Sequence, residues 1–239
     1  MTRQEGLSLQ PRAALSFATY AATPADGPRA RAVELLRALA RGEGQVAEAL
    51  LSGAVQTGKT HLLHACCGAA AQAGRRAVYL PLRDPGPAFG AALEGYETLD
   101  LVCLDDLEAG AGNESVERGL VLLLDGLQRR GGCMVASASM RLERLPFARE
   151  DVRSRFSRAV VLPLPLLGDA ELEAMLEADA AQRGLGLQPG FVRWLLSRER
   201  REPRHLLDLV ARLDAAALGR RRRAVSIALA RELLYGERA

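Results

Sequence analysis

Lysine is all but missing from this chain. Of its 32 basic side chains only Lys59 is a lysine, and the rest are arginine. Arginine is taken wherever a generic positive charge serves, yet one compact, three-donor ammonium is kept, which marks position 59 as a place where the shape of the cation matters. Aromatic residues are scarce at 4%, so Leu, Val and Ala must fill the core that a 239-residue, 49% apolar chain is long enough to bury. No apolar run approaches the ~18 residues of a membrane span, and the N-terminus carries no apolar leader, so a cytoplasmic protein without a membrane partner is expected. Cys66, Cys67, Cys103 and Cys133 lie in apolar surroundings and lack C-x-x-C spacing. That spacing argues against metal or redox use and for buried thiols in a reducing compartment. A formal charge of +3 is too small to argue for nucleic acid by itself.

What is present begins at residue 53. Gly53-Ala54-Val55-Gln56-Thr57-Gly58-Lys59-Thr60 has a glycine, four free positions and then Gly-Lys-Thr, the pattern of a phosphate-binding loop. The glycines let successive backbone N–H groups turn toward phosphate oxygens, and the positive end of the following helix adds to the cradle. Lys59 is placed to reach the outer phosphates of ADP or ATP, Thr60 to ligate Mg²⁺, and His61 continues the nucleotide-binding segment into the helix. A second signal is Asp100-Leu101-Val102-Cys103-Leu104-Asp105-Asp106, an apolar strand ending in two acids. The carboxyl ends of parallel strands face the ligand crevice, so Asp105 is a candidate for holding Mg²⁺ and Asp106 for polarising the attacking water. An ordinary turn or helix cap is the competing account of such a pair taken alone.

Along the chain, residues 1–28 read as a loosely ordered arm whose anchors are Leu7, Leu9, Leu15, Phe17 and Tyr20. Phe17 and Tyr20 are expected to dock near the nucleotide. Residues 29–165 read as an αβα nucleotide domain: helix 29–41, a strand within 46–52, helix 60–73, strand 76–80, strand 100–106, helix 114–130, strand 133–136 and strand 159–162. Ser137 and Ser139 follow a strand, where a hydroxyl can touch the γ-phosphate or its water, though turn capping explains them nearly as well. Arg155 lies in a basic turn or short helix before the last strand, where an arginine can supply charge to a nucleotide across an interface. Residues 166–239 read as a small helical domain with helices at 169–183, 191–199, 203–218 and 225–234. Arg204 opens the third of these, and Arg220–Arg223 is a basic run between helices. The expected fold class is α/β, a three-layer P-loop sandwich on a mainly parallel five-stranded sheet followed by a small all-α lid.

These markers together resemble the AAA+ ATPase superfamily, and within it the DnaA-like family, closest to its short Hda branch. They are Gly53–Thr60 with His61-Leu62-Leu63-His64-Ala65, Leu101–Glu108, Ser154-Arg155-Phe156, and Arg204-His205-Leu206-Leu207. The resemblance implies that Lys59 and Thr60 bind phosphate and Mg²⁺, that Asp105 is the first Walker B acid with Asp106 where most of the superfamily has a glutamate, that Arg155 is an arginine finger acting in trans, and that Arg204 is sensor II. It departs at Ala138, where relatives commonly have an aspartate. That weighs against self-contained hydrolysis unless Ser137 or Ser139 serves. The initiator's DNA-binding and N-terminal regions have no counterpart in this sequence. The implied role is negative regulation of chromosome replication: an ADP-bound regulator on the DNA-loaded sliding clamp promotes hydrolysis of ATP bound to the DnaA initiator. DNA is met mainly through the clamp. The family's clamp peptide begins with glutamine and ends in leucine. Gly6-Leu7-Ser8-Leu9-Gln10-Pro11 lacks both, leaving Leu7 and Leu9 for an apolar groove and implying weaker clamp binding. A finger open to a partner would also permit a homodimer. Two other readings stand beside this one: a stand-alone ATPase such as a helicase loader, and a DNA-binding adaptor using Arg220–Arg223.

Overall fold

Period-two alternation sorts the strand side chains onto two faces, each of which must be covered. In the computed structural model, which describes residues 15–20, 27–83, 89–219 and 224–236, Leu50, Val102, Leu104, Met134 and Ala136 enter one buried cluster. Their neighbours Ala49, Leu51, Leu101, Cys103 and Val135 enter another. The strands are β1 (Glu48–Ser52), β2 (Ala77–Pro81), β3 (Leu101–Asp105), β4 (Cys133–Ala138) and β5 (Val160–Pro163), in the order β2-β3-β4-β1-β5. All neighbours are parallel. Register aligns Ser52 with Ala138 and Pro81 with Asp105, bringing the carboxyl ends of the strands to one side.

Helices α1 (Pro28–Arg41) and α2 (Lys59–Gln72) cover one face. The other carries α5 (Glu114–Arg130), which follows the short turns α3 (Phe89–Ala92) and α4 (Leu107–Gly110). Helix α5 buries Leu120, Leu123, Leu124 and Leu127, as its spacing predicts. The Asn113 side chain caps it, accepting from the Ser115 and Val116 amides at 3.1 and 3.3 Å. Gly131 closes it in the left-handed conformation at φ 71°. Asn113→Ala is expected to lower stability by about 1 kcal/mol, read by urea denaturation. Helix α6 (Glu150–Phe156) leads into β5, which is an edge strand. Its Val160 and Val161 are 39% and 54% exposed.

Strand bounds differ from expectation in small ways. Strand β1 starts at Glu48, whose carboxylate meets Arg158 at 3.6 Å, so an acid that breaks the apolar pattern marks the strand's first residue. Pro81 ends β2 from within, a place an edge strand tolerates.

The chain divides into two compact units, residues 1–166 and 167–239. The second is built from α7 (Asp169–Gln182), α8 (Phe191–Leu196), α9 (Pro203–Gly219) and α10 (Ile227–Tyr235) around Leu172, Leu176, Phe191, Leu195, Leu206 and Leu213. It also holds a parallel ladder of two residues per strand, β6 (Gly186–Leu187) with β7 (Ala224–Val225), too short to leave a periodic signal. That pairing draws Val225 out of the last helix, which begins instead after Ser226, whose hydroxyl accepts from the Leu229 amide at 3.2 Å. No helix among the described residues is long and apolar enough to cross a membrane.

Candidate nucleotide site

Residues 53–58 link the end of β1 to the start of α2. Gln56 and Gly58 have φ of 71° and 90°, curling the loop. Gly53 has no room for a side chain, because a Cβ there would collide with the Leu164 carbonyl oxygen. At Gly58 a Cβ would stand 2.7 Å from the Tyr20 ring. Lys59 heads α2, is buried, and donates to the carbonyl oxygens of Gly53 at 2.8 Å and Ala54 at 3.0 Å. Burial lowers its pKa, while the nearby carboxylates of Glu108, Asp106 and Asp105 oppose that shift. Carbonyl oxygens hold the ammonium more weakly than phosphate oxygens would, so a phosphate ligand draws it over.

Asp105 ends β3, 2% exposed. A buried carboxylate must be satisfied. Thr60 Oγ1 donates to its Oδ2 at 2.8 Å, Tyr79 OH to the same oxygen at 2.7 Å, and Ser137 Oγ to Oδ1. Ser137 is fully buried and its oxygen also accepts from the Asp106 amide at 3.0 Å. Its hydroxyl is therefore committed to the acids. The Ser139 amide donates to both Glu108 oxygens at 3.1 and 3.2 Å. Asp106 sits at φ 61°, and its carboxylate pairs with the Arg83 guanidinium at 2.9 Å. The second acid thus starts from an ion pair on the ligand side of the sheet.

The residues fit a cation brought by phosphates. Thr60 and Asp105 offer hard oxygen atoms side by side, while no cluster of three or more His, Cys, Asp or Glu among the described residues would bind a metal by itself. That matches Mg²⁺, which takes few protein ligands and completes its shell with phosphate and water.

The arm is pinned to the same loop. His61 Nε2 contacts the Ser16 carbonyl at 2.8 Å and Thr19 Oγ1 at 3.2 Å, with burial lowering the imidazole pKa. Its described contacts are with the arm. Tyr20 OH donates to the Thr57 carbonyl at 3.2 Å. Arg29, 2% exposed, donates to that carbonyl at 3.0 Å, to Tyr20 OH at 2.6 Å and to the Pro165 carbonyl. Phe17 is buried against α1 and α2, under Arg37. Leu7, Leu9 and Arg220–Arg223 lie outside the described residues.

Two further arginines were expected at the site. Arg155 is in the last turn of α6, its guanidinium forked onto Asp125 of α5 at 2.7 and 2.8 Å and bonded to the Asp151 carbonyl at 2.9 Å. It does not project freely: its side chain is 23% exposed. Arg204 is exposed in the first turn of α9, within the helical unit. Sequence reasoning passed over Arg29, Tyr79, Arg83 and Asp125, because each acts through a partner distant in the chain. Glu117 had a signal, standing three residues before Leu120 on the apolar stripe of α5. It is fully buried and accepts from the amides of Gly112, Ala148 and Arg149 at 2.7, 2.9 and 2.8 Å.

Lys59→Ala is expected to abolish nucleotide binding at micromolar protein, since removing one partner of a desolvated charge contact costs about 2–5 kcal/mol, or 30-fold and more in affinity. Fluorescent-nucleotide titration checks it.

Comparison with known proteins follows the same lines. Residues 169–234 match the family model "Hda, lid domain". Domain III of the Thermotoga maritima replication initiation protein DnaA superposes with a TM-score of 0.78 at 18% identity, covering 94% of this chain and 97% of that one. A replication initiator DnaA bound to AMPPCP and single-stranded DNA gives 0.73 at 20% identity, covering 88% and 69%. AMPPCP-bound DnaA from Aquifex aeolicus gives 0.72 at 19%, covering 84% and 65%, so the match spans about two thirds of these longer initiator chains. By these matches residues 169–234 are similar to an Hda lid domain, and the chain shares the fold of the DnaA structures it superposes on.

Proposed function

We propose that this chain is a nucleotide-binding regulator of chromosome replication initiation, which promotes hydrolysis of ATP held by the DnaA initiator. The observation that carries this reading is an Hda-type lid on a chain whose phosphate loop and strand-end acid meet through Thr60 and Asp105. ADP or ATP is the ligand. Amides of residues 53–60 and the Lys59 ammonium hold its phosphates, Thr60 and Asp105 serve the Mg²⁺ that comes with it, and Arg204 of the lid is its sensor. Bound Mg²⁺ would supply charge neutralisation at the phosphates. Turnover by the chain alone is weak, because Asp106 is paired with Arg83 and Ser137 is bonded to Asp105. Arg155 acts on the initiator's nucleotide, and Leu7 and Leu9 contribute to contact with the sliding clamp.

The test is conversion of labelled ATP to ADP on the initiator, with the purified chain and DNA-loaded clamp present together and singly. Conversion that needs both supports the reading. No conversion sinks it, and turnover of free ATP by the chain alone, at a rate the initiator does not change, points instead to a stand-alone ATPase.

A further inference from the structure

The acid that faces the phosphate loop is held by more of this chain's own donors than its role toward a cation requires. An ionised carboxylate offers about four acceptor positions. On Asp105, Oδ2 takes both Thr60 and Tyr79, and Oδ1 takes Ser137, so three are filled by neutral hydroxyls. The Thr60 bond belongs to the site already described. The tyrosine is the addition, and it comes from the edge strand β2.

Tyr79 is set firmly. It lies opposite Cys103 in the β2–β3 register, two residues before the Pro81–Asp105 pair, so its long side chain runs along the sheet to the strand end. Its ring stacks on His64 of α2, with centroids 4.1 Å apart and planes 24° from parallel. Ring and hydroxyl are thus fixed by different partners, one on the helix after the phosphate loop and one on the strand-end acid.

We propose that Tyr79 is a positioning residue that holds the buried Asp105 carboxylate in place without a cation, so that this chain grips its nucleotide with weak dependence on Mg²⁺. The proposal rests on the nucleotide reading above. Asp105, buried without sufficient donors, would need a cation to offset its charge, and the nucleotide would then bind well only with Mg²⁺. Three hydroxyl donors supply that stabilisation from within the protein. A cation brought by the phosphates would still neutralise their charge, but Asp105, already supplied with donors, would gain little from it.

The test is titration of the full chain with fluorescent ADP, in Mg²⁺ and in EDTA. The unaltered chain is expected to lose no more than about threefold in affinity on removing Mg²⁺. In Tyr79→Phe, which keeps the ring and its stack on His64, the loss is expected to grow to about tenfold or more, the size of one hydrogen bond to a charged group. Tyr96→Phe, away from the site, should behave as the unaltered chain. An unchanged ratio in Tyr79→Phe overturns the proposal. So does a loss above about tenfold in the unaltered chain, a comparison that needs no variant to fold. Failure of the unaltered chain to bind ADP in either buffer overturns the nucleotide reading and this proposal with it, an outcome distinct from an unchanged ratio.

Discussion

Arg155→Ala is expected to lower the stimulated hydrolysis of initiator-bound ATP by about 10³–10⁵, the range over which a trans-acting arginine accelerates nucleotide switches. The geometry makes this a test of chemistry rather than of folding. The guanidinium is forked onto Asp125 and bonded to the Asp151 carbonyl, but both ion-pair partners are partly solvated, at 23% and 32% side-chain exposure. Such a pair contributes at most about 1 kcal/mol. The variant should therefore fold, bind nucleotide and still fail. Arg155→Lys should fail nearly as badly, because an ammonium cannot reproduce the planar fork. Asp125 has an anion's place at the guanidinium, and under the proposed function a partner's phosphate would take that place. Arg155 holds the Asp125 pKa below the ordinary carboxylate value, so the pair's contribution to stability is present at neutral pH and is lost as acid protonates Asp125. The labelled-ATP assay reads the rate. Activity of Arg155→Ala within about threefold of the unaltered chain would remove the finger from the mechanism.

Glu117→Ala is expected to cost about 3 kcal/mol or more of stability. The reasoning is a count of groups left without partners. The carboxylate is fully buried and takes three amides, from Gly112, Ala148 and Arg149. Truncation strands all three, at about 1–3 kcal/mol for each donor that water cannot reach. Glu117→Gln keeps the volume but turns an N–H₂ toward donors, so it should recover only part of the loss. Arg149 is the N-cap of α6, the helix that carries Arg155. Glu117 and Asp125, both on α5, therefore hold α6 near its start and near its end. Urea denaturation measures the change, and a loss under about 1 kcal/mol would show that water or the loop replaces the carboxylate.

What the sequence disclosed follows the range of the physics. The phosphate loop was legible because its chemistry is local: Gly53, Gly58, Lys59 and Thr60 are neighbours, and the residues after them continue directly into a helix. Helix α5 was legible to its ends, since its leucine stripe and the glycine stop at Gly131 are local. The α/β layout on a mainly parallel five-stranded sheet followed from the phosphate loop, the apolar strand ending in acids and the family resemblance they carry. Long-range partners were not legible. Nothing in the neighbourhood of Asp105 says that Tyr79 and Ser137 will reach it, since those bonds exist only once β2, β3 and β4 are in register. The same holds for Arg83 on Asp106, and for Asp125, thirty residues before Arg155, which ties down a side chain expected to project outward. Glu117 is the instructive intermediate, an acid on an apolar stripe whose misfit pointed to buried donors.

Among the described residues, strand β5 has no strand partner on one side, at the rim of the sheet beside Val160 and Val161. Short length and the closing Pro163 limit how far another strand can zip onto it. Concentrated stocks of the protein should nonetheless be most prone to clumping there, and a lysine at position 161 would be the first change to make for long storage.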